Sequence, residues 1–176
     1  MKTILDMCGG SGAWSEPYKA MGYDVRLITL PSDIRFLEFD DSLQVHGILA
    51  APPCRCFTAA GAGVLRSQAE MYEALSVVDA CLRAVAVYNP SWWALENPAG
   101  AMKRFLGPAK YCFHPWWFQG NRSKLTCLWG SFNPPKRLFF KKPIVTTSTG
   151  CIGHSGDARR SVTPEGFAKA FQEANP

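Results

Sequence analysis

The chain has 176 residues, 47% of them hydrophobic, with a formal net charge of +5 and a sequence pI of about 8.9, enough for one domain around one sizeable core. No run approaches the roughly eighteen consecutive apolar residues that a membrane-spanning helix needs, and the opening Met1-Lys2-Thr3-Ile4-Leu5-Asp6 meets an acid too early for a signal peptide, so the expectation is a cytoplasmic protein with no membrane partner. The basic balance fits an anionic partner such as nucleic acid, or simply a mildly basic surface; the seven cysteines show no paired CxxC spacing, so reduced thiols and no metal are expected.

Thr3 to Met7 is a short apolar run carrying Asp6, followed by the turn Cys8-Gly9-Gly10-Ser11-Gly12 and a helix-compatible stretch from Ser15 to Met21. Pro17 suits the first turn of that helix and Gly22 its end. Strand, glycine-rich turn and helix form the opening unit of a nucleotide-binding α/β fold, where the backbone approaches the ligand closely. Asp24 to Leu30 reads as a second strand, Pro31 to Arg35 as a turn, and Phe36 to Ser42 as a loop or short helix.

His46 to Ala51 is the next strand, and it stops at Pro52-Pro53, which cannot donate to a sheet ladder. Cys54 follows at once, at the carboxyl end of a strand, where ligands and catalytic groups gather in open α/β sheets. Cys54 is therefore the candidate nucleophile. Ala59 to Gly63 is rich in small residues and is either a loop that closes over substrate or a plain connection. Ser67 to Val87 predicts the longest helix, with Ser67 and Glu70 as a capping box and Met71, Leu75, Val78, Leu82 and Val85 as its apolar stripe. Trp92 to Leu95 is a strand with Glu96-Asn97-Pro98 at its end, which sets a carboxylate at the same sheet edge as Cys54.

An aromatic stretch from Lys110 to Gln119, a polar basic one from Gly120 to Lys124 and a strand from Leu125 to Trp129 come next. Ser131 to Arg160 reads as irregular and exposed. In it, Lys136, Arg137, Lys141 and Lys142 flank Leu138, Phe139 and Phe140, a mixture that suits phosphates and unpaired bases. A last helix runs to Ala174, with Thr163 as cap, Pro164 at its first position, and Phe167, Ala170 and Phe171 inward. No repeat or linker interrupts residues 1–176, so a single domain is expected.

The order of these motifs resembles the DNA cytosine-C5 methyltransferases, and is most similar to the short bacteriophage forms. Asp6 to Gly12 resembles the family's cofactor motif, Pro52-Pro53-Cys54 with Phe57 its catalytic loop, and Glu96-Asn97-Pro98 its glutamate-asparagine motif. Gln119, Arg122 and Lys124 resemble a degraded glutamine-arginine-arginine motif, and Arg160 to Asn175 the tail of the short forms. The resemblance implies a Rossmann-like α/β fold, with a mostly parallel twisted sheet and helices on both faces. It implies S-adenosyl-L-methionine as cofactor, met by Asp6, Cys8, Gly9, Gly10, Gly12, Thr29, Asp33, Ile34 and Pro52. It implies Cys54, Glu96 and Arg122 as catalytic, and Arg55, Asn97, Lys124, Lys136, Arg137, Lys141 and Lys142 toward the nucleic acid. The target would be DNA, its cytosine flipped from the duplex or already single-stranded.

Two departures stand out. Many family members carry an acid at the end of the second strand for the ribose hydroxyls, where this chain has Thr29 or Leu30. Only the thirty residues from Ser131 to Arg160 stand in place of a target-recognition domain, too few to fold alone. Discrimination would then be poor, or come from a partner subunit, self-association or a small substrate. Beside DNA methylation, the residues also fit cysteine-dependent modification of a pyrimidine nucleotide or RNA, and a non-catalytic nucleic-acid binder.

Overall fold

The computed structural model describes residues 1–58, 66–120, 124–142 and 162–176. The strands are β1 (Thr3–Met7), β2 (Asp24–Ile28), β3 (Val45–Ala50), β4 (Trp92–Pro98), β5 (Tyr111–Phe113) and β6 (Thr126–Ser131). The helices are α1 (Glu16–Ala20), α2 (Gln68–Tyr88), α3 (Lys103–Leu106) and α4 (Glu165–Ala174). The strands form one sheet in the order β2-β1-β3-β4-β6-β5. Neighbours from β2 to β4 are parallel, and β6 runs antiparallel to both β4 and β5. Among the described strands, β6 alone is therefore reversed.

Helices cover both faces because every central strand is apolar on both. Leu5, Met7, Ile48, Ala50 and Leu95 pack under α2 through Val78, Cys81 and Ala84. Ile4, Leu49, Ala94 and Leu128 face Trp14 and Tyr18 around α1 and Phe167 and Phe171 of α4. That second layer is aromatic: Phe113 stacks on Phe167 with ring centroids 4.1 Å apart, and Tyr18 on Trp92 at 5.4 Å. Gly47 is needed there, since a Cβ at this position would enter the Trp92 ring. Asn175 anchors the end of α4, accepting from Asn133 N at 2.7 Å and donating to Asn133 O at 2.9 Å.

The α/β architecture expected from the sequence is present, with several local corrections. β2 stops at Ile28, short of Leu30, and a 3-10 turn at Ile34–Phe36 follows it. β4 runs on through Glu96, Asn97 and Pro98, because β6 pairs with it as far as Pro98↔Thr126. Pro164, with an extended ψ of 132°, is the residue that caps α4, and its carbonyl accepts from Phe167 N and Ala168 N, both at 3.0 Å. Thr163 therefore lies outside the helix rather than at its cap. β5 and α3 were not anticipated; each is too short to show a periodicity. The loop Ala59 to Gly63 and residues 143–160 of the basic segment lie outside the described residues.

The capping box that starts α2 forms as expected. Glu70 N donates to Ser67 Oγ at 3.1 Å, and Ser67 N donates to Glu70 Oε2 at 2.9 Å. Ser67→Ala should lower the unfolding free energy by about 1 kcal/mol in urea titrations, with an unchanged m-value.

Candidate active site

Strand register brings the site together. In the parallel pairing of β3 with β4, Leu49 lies opposite Ala94 and Ala50 opposite Leu95. One and two residues further on, Ala51 is level with Glu96 and Pro52 with Asn97. β1 ends at the same height, with Met7 opposite Ala50 and Met7 O accepting from Ala51 N at 2.9 Å. Beyond these carboxyl ends opens a cleft of about 1730 Å³, and Gly9, Gly10, Cys54, Glu96 and Lys124 are among its lining residues. Phe167, Ala168 and Gln172 of α4 form a further wall.

The loop carrying Cys54 is clamped at both ends. Asn97 Nδ2 donates to Pro52 O at 3.0 Å. Phe57 O accepts from Ala101 N at 2.7 Å, and Thr58 bridges Gly100. Between these ties, Cys54 O accepts from Phe57 N at 3.0 Å and Thr58 N at 2.9 Å, closing a tight turn. Phe57 is fully buried, its ring centroid 6.0 Å from that of Phe105. The backbone of Cys54 is thus fixed against the end of the strand that carries Glu96, and its half-buried thiol borders the cleft. Arg55 is exposed at the same rim. Asn97 is not available to nucleic acid: it is 0% exposed, and its amide is a brace for the loop.

Alternation along the strands sets Glu96 on the face of Trp92 and Ala94, the α1/α4 side, and Asp6 on that same face with Ile4. Both carboxyls are pushed up by burial. Glu96 lies above the ordinary carboxylate range, with the Lys124 ammonium pulling in the opposite direction. In its protonated form, which burial favours, a carboxyl can donate one hydrogen bond and accept another. Arg122 lies outside the described residues.

Asp6 is 0% exposed and rises from its ordinary 3.8 to about 6, mainly through burial. Ser15 Oγ donates to Asp6 Oδ2 at 2.5 Å, whereas Oδ1 has no hydrogen-bond partner among the described residues. Cys8, Gly10 and Gly12 take left-handed φ values of +57°, +56° and +72°, so the chain winds tightly around the carboxyl. A Cβ at Gly9 would run into it. An unpaired buried carboxylate oxygen invites a cationic or N–H partner, and the methionine end of S-adenosyl-L-methionine carries one in its amino group. The residues present fit that group.

Thr29, Asp33, Ile34 and Pro52 line the same cleft. The Asp33 carboxylate is already engaged, accepting from Arg35 N at 2.9 Å and Arg35 Nε at 3.0 Å, which holds it below the usual carboxylate range. Arg35 bridges onward to Glu73 of α2. Trp14 was not singled out from the sequence. It is buried in the cleft wall with Nε1 unpartnered among the described residues, and no local sequence signal marks it.

Lys136, Lys141 and Lys142 are exposed. Arg137 is half-buried, and part of its guanidinium is engaged within the protein. Its guanidinium lies 4.0 Å from the Trp117 ring centroid and 4.9 Å from that of Trp116. It also donates to Phe139 O at 2.6 Å and Phe140 O at 3.1 Å. This cation–π latch holds the segment after β6 against the aromatic turn at Pro115–Phe118.

No protein-family model matches the chain, and no curated protein does. Among solved structures it is similar to one described as a DNA modification methyltransferase encoded within a prophage of E. coli, with 13% identity and a TM-score of 0.47, covering 82% of this chain and 52% of that one. It is similar to the methyltransferase EhMeth of Entamoeba histolytica, with 10% identity and a TM-score of 0.43, covering 83% and 57% of the two chains. The Dnmt2 methyltransferase of S. pombe gives 14% identity, a TM-score of 0.43 and coverage of 84% and 52%. These neighbours are methyltransferases. The chain spans about half their length.

Asp6 makes the fold pH-dependent. Its native pKa is raised above its unfolded value, so the native state holds the extra proton between pH 3.8 and about 6. Stability therefore falls as pH rises through that window, by up to about 3 kcal/mol. Thermal melts from pH 4 to 7 should show this fall, and Asp6→Asn should flatten it.

Proposed function

We propose that the protein transfers a methyl group from S-adenosyl-L-methionine to carbon 5 of cytosine in DNA, through a covalent adduct at Cys54. The observation that carries this reading is the shared cleft. Cys54 on its clamped loop, Glu96 on the neighbouring strand end and the glycine-rich turn around Asp6 all open into it. The order of these motifs along the chain, similar to that of the cytosine-C5 methyltransferases, supports it.

Carbon 5 of cytosine is a poor nucleophile, and the chain's residues would change that. The Cys54 thiolate adds to carbon 6, and the ring electrons move toward carbon 5. Glu96, protonated, donates to N3 and accepts from the exocyclic amino group, stabilising the ring as charge develops. When bound, S-adenosyl-L-methionine supplies the electrophilic methyl group that carbon 5 takes up. Loss of the carbon-5 proton to a base and cleavage of the bond from Sγ to carbon 6 then release Cys54 as a thiolate. The Asp6 carboxylate and the amides of the turn from Cys8 to Gly12 would hold the cofactor's amino-acid end, with Ile34 against its base and Pro52 beneath it. Thr29 offers a hydroxyl where a ribose-binding acid is usual, so weak cofactor binding is expected. Arg122 would assist at the base oxygen or a phosphate. Arg55, Lys124, Lys136, Lys141 and Lys142 would meet the nucleic acid.

A second reading keeps the cysteine chemistry on RNA or a free pyrimidine nucleotide. The Arg137 latch favours the nucleotide, because part of one cation that could meet a phosphate backbone is engaged inside the protein.

Labelled methyl transfer from S-adenosyl-L-methionine, offered with duplex DNA, single-stranded DNA, RNA and pyrimidine nucleotides, separates the readings. DNA should take up label, and Cys54→Ala should abolish uptake. Label that persists in Cys54→Ala would overturn the covalent route, and label confined to nucleotides or RNA would move the substrate. Glu96→Gln should lower kcat by about a hundredfold or more while changing KM little; unchanged kcat would remove Glu96 from the chemistry.

A further inference from the structure

β2 is the outermost strand on its side of the sheet among the described residues. Its inner edge is committed to β1: Asp24 N donates to Lys2 O at 3.0 Å, and Ile28 O accepts from Cys8 N at 2.7 Å. In a strand, the N–H and C=O of one residue point to the same side and alternate with the next. Asp24, Arg26 and Ile28 therefore bond inward, and Val25 and Leu27 present their N–H and C=O groups to the open side. No proline or bulge interrupts this edge, and its two charges, Asp24 and Arg26, are paired with each other.

The charges on β2 select a partner. Asp24 and Arg26 lie on one face, paired within the strand at 3.1 Å, and both side chains remain partly exposed. A closed two-fold dimer requires the second strand to run antiparallel. The outward groups of Val25 and Leu27 allow axes through residue 25, 26 or 27. An axis through Arg26 sets Arg26 against Arg26, and one through Leu27 leaves both charges without an opposite number. An axis through Val25 puts Val25 opposite Val25, with reciprocal N–H to C=O bonds, and Asp24 opposite Arg26 twice. The strand is self-complementary in that register alone. Leu27, at 44% exposure, supplies apolar surface beside it.

We propose that β2 is an interaction surface for a second copy of this chain, joined edge to edge in the register centred on Val25. The sheet then continues across the two-fold axis, and four charges alternate in sign along one face. β1 separates β2 from β3 and β4, so Cys54 and Glu96 stay accessible in each copy. The inference does not depend on the chemistry assigned to that cleft.

Sedimentation equilibrium of the full chain at rising concentration tests it. The wild type should move from monomer toward dimer mass, and high salt should weaken the association. Asp24→Arg and Arg26→Asp should each weaken it tenfold or more, by placing like charges opposite each other. Mixing the two variants restores opposite charges at both positions, so the mixture should form a one-to-one heterodimer. A wild type that stays monomeric, single variants that associate as the wild type does, or a mixture that stays monomeric would each overturn the proposal. Hydrogen exchange on the wild type needs no variant to fold: the Val25 and Leu27 amides should slow as concentration rises, and concentration-independent exchange would refute the interface.

Discussion

The Asn97 amide holding the Pro52 carbonyl is the constraint on which the site depends. Two consecutive prolines end β3 because they cannot continue its ladder, and the chain leaves the sheet with Cys54 next in line. Left alone, such a loop would hold its cysteine loosely. The parallel register of β3 and β4 sets Asn97 level with Pro52, and one hydrogen bond between two buried groups ties them. The bond from Ala101 N to Phe57 O and the bridge between Thr58 and Gly100 fix the far side. Glu96 precedes Asn97 on β4 and projects to the other face. The residue that braces the loop of Cys54 and the residue proposed to meet the base are therefore adjacent in sequence and opposite in direction.

Burial then sets the electrostatics. Asp6 and Glu96 share one face of the sheet, and desolvation disfavours the charged form of both. For Asp6 this is a stability cost near neutral pH, and its unpartnered oxygen marks where a ligand's donor could offset that cost. Sites built for binding commonly carry groups that the empty protein leaves incompletely satisfied. The wound turn from Cys8 to Gly12 and the glycine at position 9 let the backbone pack directly against the carboxyl.

Features that depend on a few neighbouring residues were legible in the sequence. The capping box at Ser67 and Glu70, the apolar run into Pro52-Pro53 and the strand leading to Glu96 each follow from local chemistry, and the topology brings the last two to one edge as expected. Features decided by distant contacts were not legible. Asn97 reads as a polar strand-end residue until β3 is laid beside it. Arg137 reads as a free cation until Trp116 and Trp117, some twenty residues earlier, close around it. β5 exists because β6 pairs with three residues of an aromatic stretch, and α4 becomes a wall of the cleft only through packing on α1 and the sheet. The α/β class and the two strand ends that carry Cys54 and Glu96 were readable; the α4 wall of the cleft, the bracing and the latch were not.

The central claim is that Cys54 forms a bond to the target base. Intact-mass analysis after incubation with S-adenosyl-L-methionine and DNA containing 5-fluorocytosine tests it most directly, since fluorine at carbon 5 cannot leave as a proton does and the adduct is trapped. The account predicts a stable one-to-one protein–DNA species that maps to Cys54 and is absent in Cys54→Ala. An adduct that survives Cys54→Ala, or one that maps to another cysteine, would contradict it.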